Sequence, residues 1–252
     1  MTNQLRVGPN TRVLVLTGAG VSAESGIPTF RASADGLWEN HRIEDVASPE
    51  GFAKDPTMVW RFYSERRARA ATVAPNPGHI ALAKLQRDLG DRMMLVTQNV
   101  DGLHQRAGSD PVTEIHGGLY KTRCTHCERE PFEDHDLYMT EGDLPFCAEC
   151  AAQNKTSLLR PHIVWFGEML NAADLHRVTR FISNAEDLIF VAAGTSGAVY
   201  PVANLVYRAK NSGGRTVLVN ADEVQNASGF QQWIRGKSGE ILPTLFDIEP
   251  PV

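Results

Sequence analysis

Arg12-Val13-Leu14-Val15-Leu16-Thr17 is an apolar run that ends directly on Gly18-Ala19-Gly20. Successive side chains of a strand point to opposite faces, so a strand that is apolar at nearly every position must be covered on both. That excludes a sheet with one wet face and calls for helices on either side. Further apolar runs fall at Met93–Thr97, Val112–His116, Ile163-Val164, Leu188–Ala192 and Thr216–Val219. Between them, residues 48–71 carry a helical stripe of Met58, Val59, Phe62 and Tyr63. Asn76-Pro77-Gly78-His79 opens a helix over Ile80–Leu89 that Gly90 ends, and two more helical stretches fall near 172–183 and 199–211. This alternation predicts an α/β fold, a Rossmann-like doubly wound parallel sheet. Ligands of such sheets sit beyond the carboxyl ends of the strands, where Gly18-Ala19-Gly20, Gln98-Asn99, His116, Gly194-Thr195-Ser196 and Asn220 should converge.

All four cysteines fall in one stretch, as Cys124-x2-Cys127-x19-Cys147-x2-Cys150. Two such pairs form two turns that each supply half of a tetrahedral Zn²⁺ site. Four thiolates leave no open coordination position, so one structural zinc is expected. Met1–Arg12 has no apolar run of signal-peptide length, and without an export signal clustered thiols favour a metal over disulfides. Residues 118–158 hold few apolar side chains and read as a zinc-held module. It is inserted between residues 1–117 and 159–252, the Rossmann-like domain, which carries a helical insertion at about 32–72. With 252 residues, 42% hydrophobic and 22% charged, the chain is long enough to bury a full core. A net charge of −5 offers no basic face for nucleic acid, and no stretch of eighteen apolar residues marks a membrane span. The expectation is a cytoplasmic protein without nucleic-acid or membrane partners, its oligomeric state open, a monomer included.

Gly18-Ala19-Gly20-Val21-Ser22-Ala23 fits G-x-G-x-x-A in a strand–turn–helix setting, where backbone N–H groups approach a pyrophosphate. A plain glycine turn carries the same letters. A hydride-transfer enzyme would continue into a full helix and an acidic strand tip about 20 residues on. Here Gly26 and Pro28 stop the helix begun at Ser22-Ala23-Glu24, and an irregular loop runs from Pro28 to Asn40. A dinucleotide is therefore expected, but not as a hydride carrier. His116, followed by Gly117-Gly118, is suited to act as a general base near neutral pH; a structural histidine at a strand end is the competing reading. Gln98-Asn99-Val100-Asp101 can hydrogen-bond a carboxamide and ribose hydroxyls, or form a polar loop with Asp101 as a helix N-cap.

Together these segments resemble the sirtuin family over almost the whole chain. The motifs that carry the resemblance are Gly18-Ala19-Gly20-Val21-Ser22 running to Gly26-Ile27-Pro28-Thr29-Phe30-Arg31, Thr97-Gln98-Asn99-Val100-Asp101-Gly102-Leu103-His104 and Ile115-His116-Gly117. The cysteine quartet, Arg160-Pro161-His162-Ile163-Val164-Trp165-Phe166-Gly167-Glu168 and Gly194-Thr195-Ser196 complete the set. The resemblance implies NAD as co-substrate and acylated protein lysines as partners, meeting between the large domain and the zinc module. It implies release of nicotinamide, free lysine and O-acyl-ADP-ribose, with His116 as the base toward the ribose hydroxyls. By the same analogy Gly18, Ala19, Gly20, Glu24, Gln98, Asn99, Val100 and Asp101 contact NAD, and Phe30 and Arg31 lie on a loop closing over it. Gly194, Thr195, Ser196, Asn220 and Ser238 line the adenosine end, and Val164, Phe166 and Gly167 pair by backbone with an extended peptide.

Trp60-Arg61-Phe62-Tyr63-Ser64-Glu65-Arg66 resembles the sirtuin branch that prefers succinyl and malonyl chains, and Ala47 the small residue of its roomier pocket. Tyr63 and Arg66 stand three apart on one helical face, a hydroxyl and a guanidinium fork suited to a carboxylate tail. The competing reading makes Arg66 a solvated residue beside Arg67 and Arg69. The expected activity is removal of succinyl, malonyl and, more weakly, acetyl groups. The alternatives are a general deacetylase, a mono-ADP-ribosyltransferase using the same NAD site, and an idle NAD-binding module.

Overall fold

The computed structural model describes residues 4–29, 37–38 and 41–249. The expected loop positions Phe30 and Arg31 lie outside the described residues. Six strands form one parallel sheet in the order Gln232–Arg235, Arg215–Asn220, Asp187–Ala193, Thr11–Thr17, Met93–Thr97, Val112–Glu114. From Thr11–Thr17 the chain adds strands outward on one side, then returns to add the other three on the opposite side. The switch point therefore lies between Thr11–Thr17 and Asp187–Ala193, which pair from Thr11↔Asp187 to Thr17↔Ala193.

Alternation along Thr11–Thr17 divides the core in two. Val13 and Val15 pack with Leu95, Val191 and Val217 under helices Pro77–Leu89 and Ser238–Leu245. Leu14 and Leu16 pack with Val96, Phe190 and Leu218 under helices Ala172–Ser183 and Leu205–Asn211. The first helix is set by its cap: Asn76 Oδ1 accepts from the N–H of Gly78 at 2.9 Å, and Gly90, at φ 55°, ends it.

Several local expectations shift. Three helices follow one another here, Ile43–Val46, Pro49–Lys54 and Pro56–Thr72, and the last two divide the helical stretch expected at 48–71. Ser48 and Asp55 cap the second and third from their side chains, and each cap is followed by proline at the first helical position, which restarts the chain rather than continuing it. The strand at Val112 stops at Glu114, so His116 lies in the turn before Gly117–Cys124. The strand expected at Ile163-Val164 is Leu159–Ile163, and it belongs to a separate antiparallel sheet with Gly117–Cys124 and Phe132–Glu133. Short strands Leu5–Val7, Gln232–Arg235 and Phe246–Ile248 carry no strong apolar run and went unread.

The cysteine-bearing segment is not held by metal chemistry alone. Its Leu119, Cys124, Cys147, Cys150 and Leu159 share a third buried cluster with Val59, Trp60, Phe62, Tyr63 and Trp165. Too poor in apolar residues to build its own core, it borrows one from helix Pro56–Thr72. Among the described residues no helix is long and apolar enough to cross a membrane.

Phe190 is fully buried in the sheet's second face. Phe190→Ala should lower the unfolding free energy by about 3–5 kcal/mol. Chemical denaturation checks this: the midpoint should fall, and a loss below about 1 kcal/mol would mean that this face is not packed as described.

Candidate active site

At the switch point two backbone turns touch. Gly18 N–H donates to Ala193 O at 3.0 Å, and Gly20 N–H donates to Gly194 O at 2.8 Å. A Cβ at Gly20 would stand 2.8 Å from Gly194 Cα, and one at Gly194, whose φ is +60°, would stand 2.3 Å from Val21 N. The crevice floor is therefore bare main chain, a cradle that any side chain would fill. Ala19 begins the short helix Ala19–Ala23, and a third turn joins where Gln98 Nε2 donates to Thr195 Oγ1 at 3.0 Å.

The outer expected contacts are variously engaged. Ser196 is exposed, Asn220 Nδ2 donates to Asp222 O at 2.7 Å, and Ser238 is buried at the start of its helix. Glu24 does not face the glycine cradle with its bonded oxygen: Oε1 accepts from Gly239 N–H at 2.9 Å and ties the two helix ends together.

Behind the cradle lies a buried polar network that sequence reasoning largely missed. Asn99 Nδ2 donates to Gly18 O at 3.1 Å and to Ser22 Oγ at 3.0 Å, and Asn99 N–H donates to Thr97 Oγ1 at 3.0 Å. Ser22 in turn donates to Asp101. The N-cap of helix Leu103–Arg106 is Gly102, not Asp101 as one reading had it; one Asp101 oxygen accepts from Leu103 N–H at 2.9 Å in an Asx turn just before the helix. Burial pushes its carboxyl above the ordinary range, against the pull of the Leu103 and Ser22 bonds.

Two histidines complete the network. His79 Nδ1 accepts from Asn76 N–H at 3.3 Å, which leaves the proton on Nε2, 3.4 Å from Ser22 Oγ. Thr17 Oγ1 donates to Thr97, so it accepts from His104 Nε2–H at 2.9 Å. The rings lie 4.7 Å apart, and burial lowers His79 to about 4 and His104 to about 3, keeping both neutral near pH 7. Asn76-Pro77-Gly78-His79 marks a helix start and says nothing of the His79 ring, and Ser22 and His104 stand inside quoted motifs that assign them no role.

His116 stands at the edge of this crevice. Its Nδ1 lies 3.2 Å from Gln98 O, and since a carbonyl can only accept, the proton sits on Nδ1 and Nε2 carries the lone pair. Burial lowers the ring's pKa, against the raising effect of the Gln98 bond. Gly117 follows at φ +82°, where a Cβ would fall 2.0 Å from His162 O, so only glycine passes the chain between His116 and the second sheet.

Helix Pro56–Thr72 approaches from the other side. Tyr63 is buried, and its hydroxyl accepts from Trp165 Nε1–H at 2.9 Å. Burial raises the Tyr63 hydroxyl well above the ordinary phenol range, with the Trp165 hydrogen bond and the neighbouring Arg66 guanidinium pulling the other way. Arg66 is half-buried; its Nη1 donates to Phe62 O at 2.9 Å and the guanidinium lies 3.2 Å from the centre of the Phe62 ring. Ala47 is buried, and its carbonyl accepts from Phe166 N–H at 3.0 Å. Val164 N–H likewise donates to His116 O at 2.9 Å. The N–H groups of Val164 and Phe166, both expected to pair with peptide, are thus used internally. Glu168, in bidentate contact with Arg160 at 2.7 and 2.9 Å, also accepts from Trp165 N–H and holds this stretch in shape.

The four cysteine sulfurs lie within 4.8 Å of one another, with Cys124–Cys150 at 3.7 Å and Cys127–Cys147 at 3.6 Å. A Zn²⁺ tetrahedron with bonds of about 2.3 Å has edges of about 3.8 Å, so the quartet fits zinc. Cys124 Sγ accepts from His126 and Cys127 N–H, the turn that sets a thiolate toward a metal.

Residues 18–201 match the model of the Sir2 family. The chain is 46% identical to an NAD-dependent protein deacylase of Pasteurella multocida, over 92% of this chain and 95% of the relative. It superimposes on a Sir2 homolog–NAD complex with a TM-score of 0.80 and 44% identity, covering 92% and 86% of the two chains. A Sir2 bound to acetylated peptide gives 0.75 and 32%, covering 92% and 90%.

Because cysteine residues share the buried cluster of helix Pro56–Thr72, losing the metal should loosen more than the module. Cys124→Ser should abolish stoichiometric zinc and expose residues 118–158 to proteolysis. Elemental analysis of the native protein should give one zinc per chain; fully active protein without zinc would overturn the assignment.

Proposed function

The chain belongs to the Sir2 family and is an NAD-dependent protein deacylase, and on that premise we propose that it acts on acylated lysines with a preference for acidic acyl chains, succinyl and malonyl over acetyl. The observation that carries the preference is the Tyr63 hydroxyl. It is buried, sits beside Arg66, and is bonded to the indole of Trp165 within the stretch Val164–Gly167 that we assign to the substrate peptide. A hydroxyl and a guanidinium fork facing one acyl chain match a carboxylate tail.

When bound, NAD supplies a C1′ that loses nicotinamide and a ribose whose hydroxyls can be deprotonated. The chain's own groups then have distinct tasks. The bare backbone at Gly18–Gly20 and Gly194 admits the pyrophosphate closely. Asn99 and Asp101, braced by Ser22 and Thr97, hold the ribose and carboxamide. His116 Nε2 accepts the proton from a ribose hydroxyl, its tautomer set by the Gln98 carbonyl. A reduced thiolate quartet also fits a reducing compartment such as the cytoplasm.

Two measurements test this reading. His116→Ala should cut deacylation by roughly 10²-fold or more while NAD still binds, since a base acts on the transition state more than on the ground state. In the unmodified enzyme the acid limb of kcat/KM should lie below about 6.5, because burial favours the neutral ring that acts as base. Near-normal turnover of folded His116→Ala would place the base elsewhere. For acyl choice, Arg66→Met should lower the ratio of succinyl-lysine to acetyl-lysine kcat/KM by roughly 30-fold, the value of a lost charged contact of about 2 kcal/mol. Tyr63→Phe should lower it less and also slow both substrates, since Trp165 N–H loses its acceptor. Equal losses on both substrates in Arg66→Met would make the enzyme a general deacetylase.

A further inference from the structure

One buried cation has no part in the proposed chemistry. Arg67, next to Arg66, is 1% exposed and spends its guanidinium entirely on protein. Its Nε donates to Leu119 O at 2.6 Å, Nη1 to Asp136 O at 2.7 Å, and Nη2 to Thr122 Oγ1 at 3.0 Å. Nη1 also lies 3.3 Å from Asp134 Oδ2, a carboxylate that is itself buried and bonded to the Tyr138 hydroxyl and Asp136 N–H.

We propose that Arg67 is a positioning residue for acyl selectivity, fixing helix Pro56–Thr72 in the register that presents Tyr63 and Arg66 to the acyl chain. This rests on the acidic-acyl reading above.

The geometry fastens the helix along a stripe that borders Tyr63, three residues after Trp60 and four before Arg67. Trp60 Nε1 donates to Leu159 O at 3.0 Å, Ser64 Oγ accepts from Tyr138 N–H at 2.8 Å, and Tyr120 OH donates to Arg67 O at 3.1 Å. Residues 60, 64 and 67 recur at helical spacing and bond the cysteine-bearing segment or Leu159, the residue that follows it. Tyr63 and Arg66 lie one residue before the last two of these, so a turn of the helix that frees Arg67 swings both. Arg67 also reaches the catalytic segment. Leu119, whose carbonyl it bonds, donates its N–H to Val100 O at 2.8 Å and stands three residues past His116. One guanidinium thus ties the acyl-reading helix to the chain that carries both His116 and the Gln98–Asp101 loop. A carboxylate tail demands fork geometry and suffers when the fork turns, whereas an acetyl group makes no charged contact.

The test is a double-mutant cycle in the zinc-loaded full chain, using succinyl-lysine and acetyl-lysine forms of one peptide. Arg67→Lys keeps the charge but loses the three-way fork. It should lower the succinyl-to-acetyl ratio of kcat/KM by roughly tenfold, the scale of coupling within one network. In an Arg66→Met background, Arg67→Lys should lower the ratio no further. Equal losses on both substrates, or single effects that multiply in the double variant, would reduce Arg67 to a structural staple and overturn the proposal. Should Arg67→Lys fail to fold, Asp134→Asn, which keeps shape and removes the counter-charge, is read by the same criteria. A ratio that Arg66→Met lowers and Arg67→Lys leaves unchanged sinks this inference alone. A ratio that Arg66→Met itself leaves unchanged sinks the acidic-acyl reading and this one with it.

Discussion

The contact between the Gly18–Gly20 turn and Gly194 is the constraint on which the rest of the site depends. Two neighbouring parallel strands end there and send their chains to opposite faces of the sheet, so their ends are bounded only by each other. The turns close to main-chain distance, with Gly20 N–H on Gly194 O at 2.8 Å, and each needs the absence of a Cβ in the other. What remains is a floor of backbone at the centre of the sheet's carboxyl edge. Gln98, Asn99 and the Thr195 hydroxyl assemble around it because their strands end at the same level, Thr17, Thr97 and Ala193 standing in register.

Burying so many polar groups beneath that floor is costly unless each finds a partner. Asn99, Ser22, Thr17, Thr97 and Asp101 match donor to acceptor, and the two histidines join only as neutral rings. Desolvation drives their pKa values far below ordinary imidazole, while it raises that of Asp101. Of the two rings in this network, His104 leaves its buried Nδ1 without a partner among the described residues. The same burial acts on His116, but its Nε2 is left outside the network, and that difference sets it apart from the other two rings.

The cysteine-bearing segment shows how a small module becomes precise. Metal ligation fixes two turns, yet the segment's sheet packs on Trp60, Phe62 and Tyr63 of a helix from another part of the chain. The Arg67–Asp134 pair then fixes register where apolar contact alone would allow sliding, since a buried ion pair tolerates little displacement. The cysteine-bearing segment and helix Pro56–Thr72 therefore form one unit.

Much of this was legible in the residues themselves. Val13–Leu16, apolar on both alternations, dictated helices on both faces; the cysteine spacing dictated a closed four-thiolate site; Asn76 and Gly90 marked the bounds of a helix. These are local signals, set by side-chain periodicity, ligand spacing and backbone φ. Tertiary structure alone decided that Ile163 belongs to a second, antiparallel sheet, that Glu24 caps a distant helix, and that among eight histidines His79 and His104 are locked while His116 is not. It also decided that Arg67 is the buried arginine and Arg66 the half-buried one, though they are adjacent and chemically identical. Desolvation and hydrogen-bond partnership depend on what distant segments place against a residue, and no local pattern carries that information.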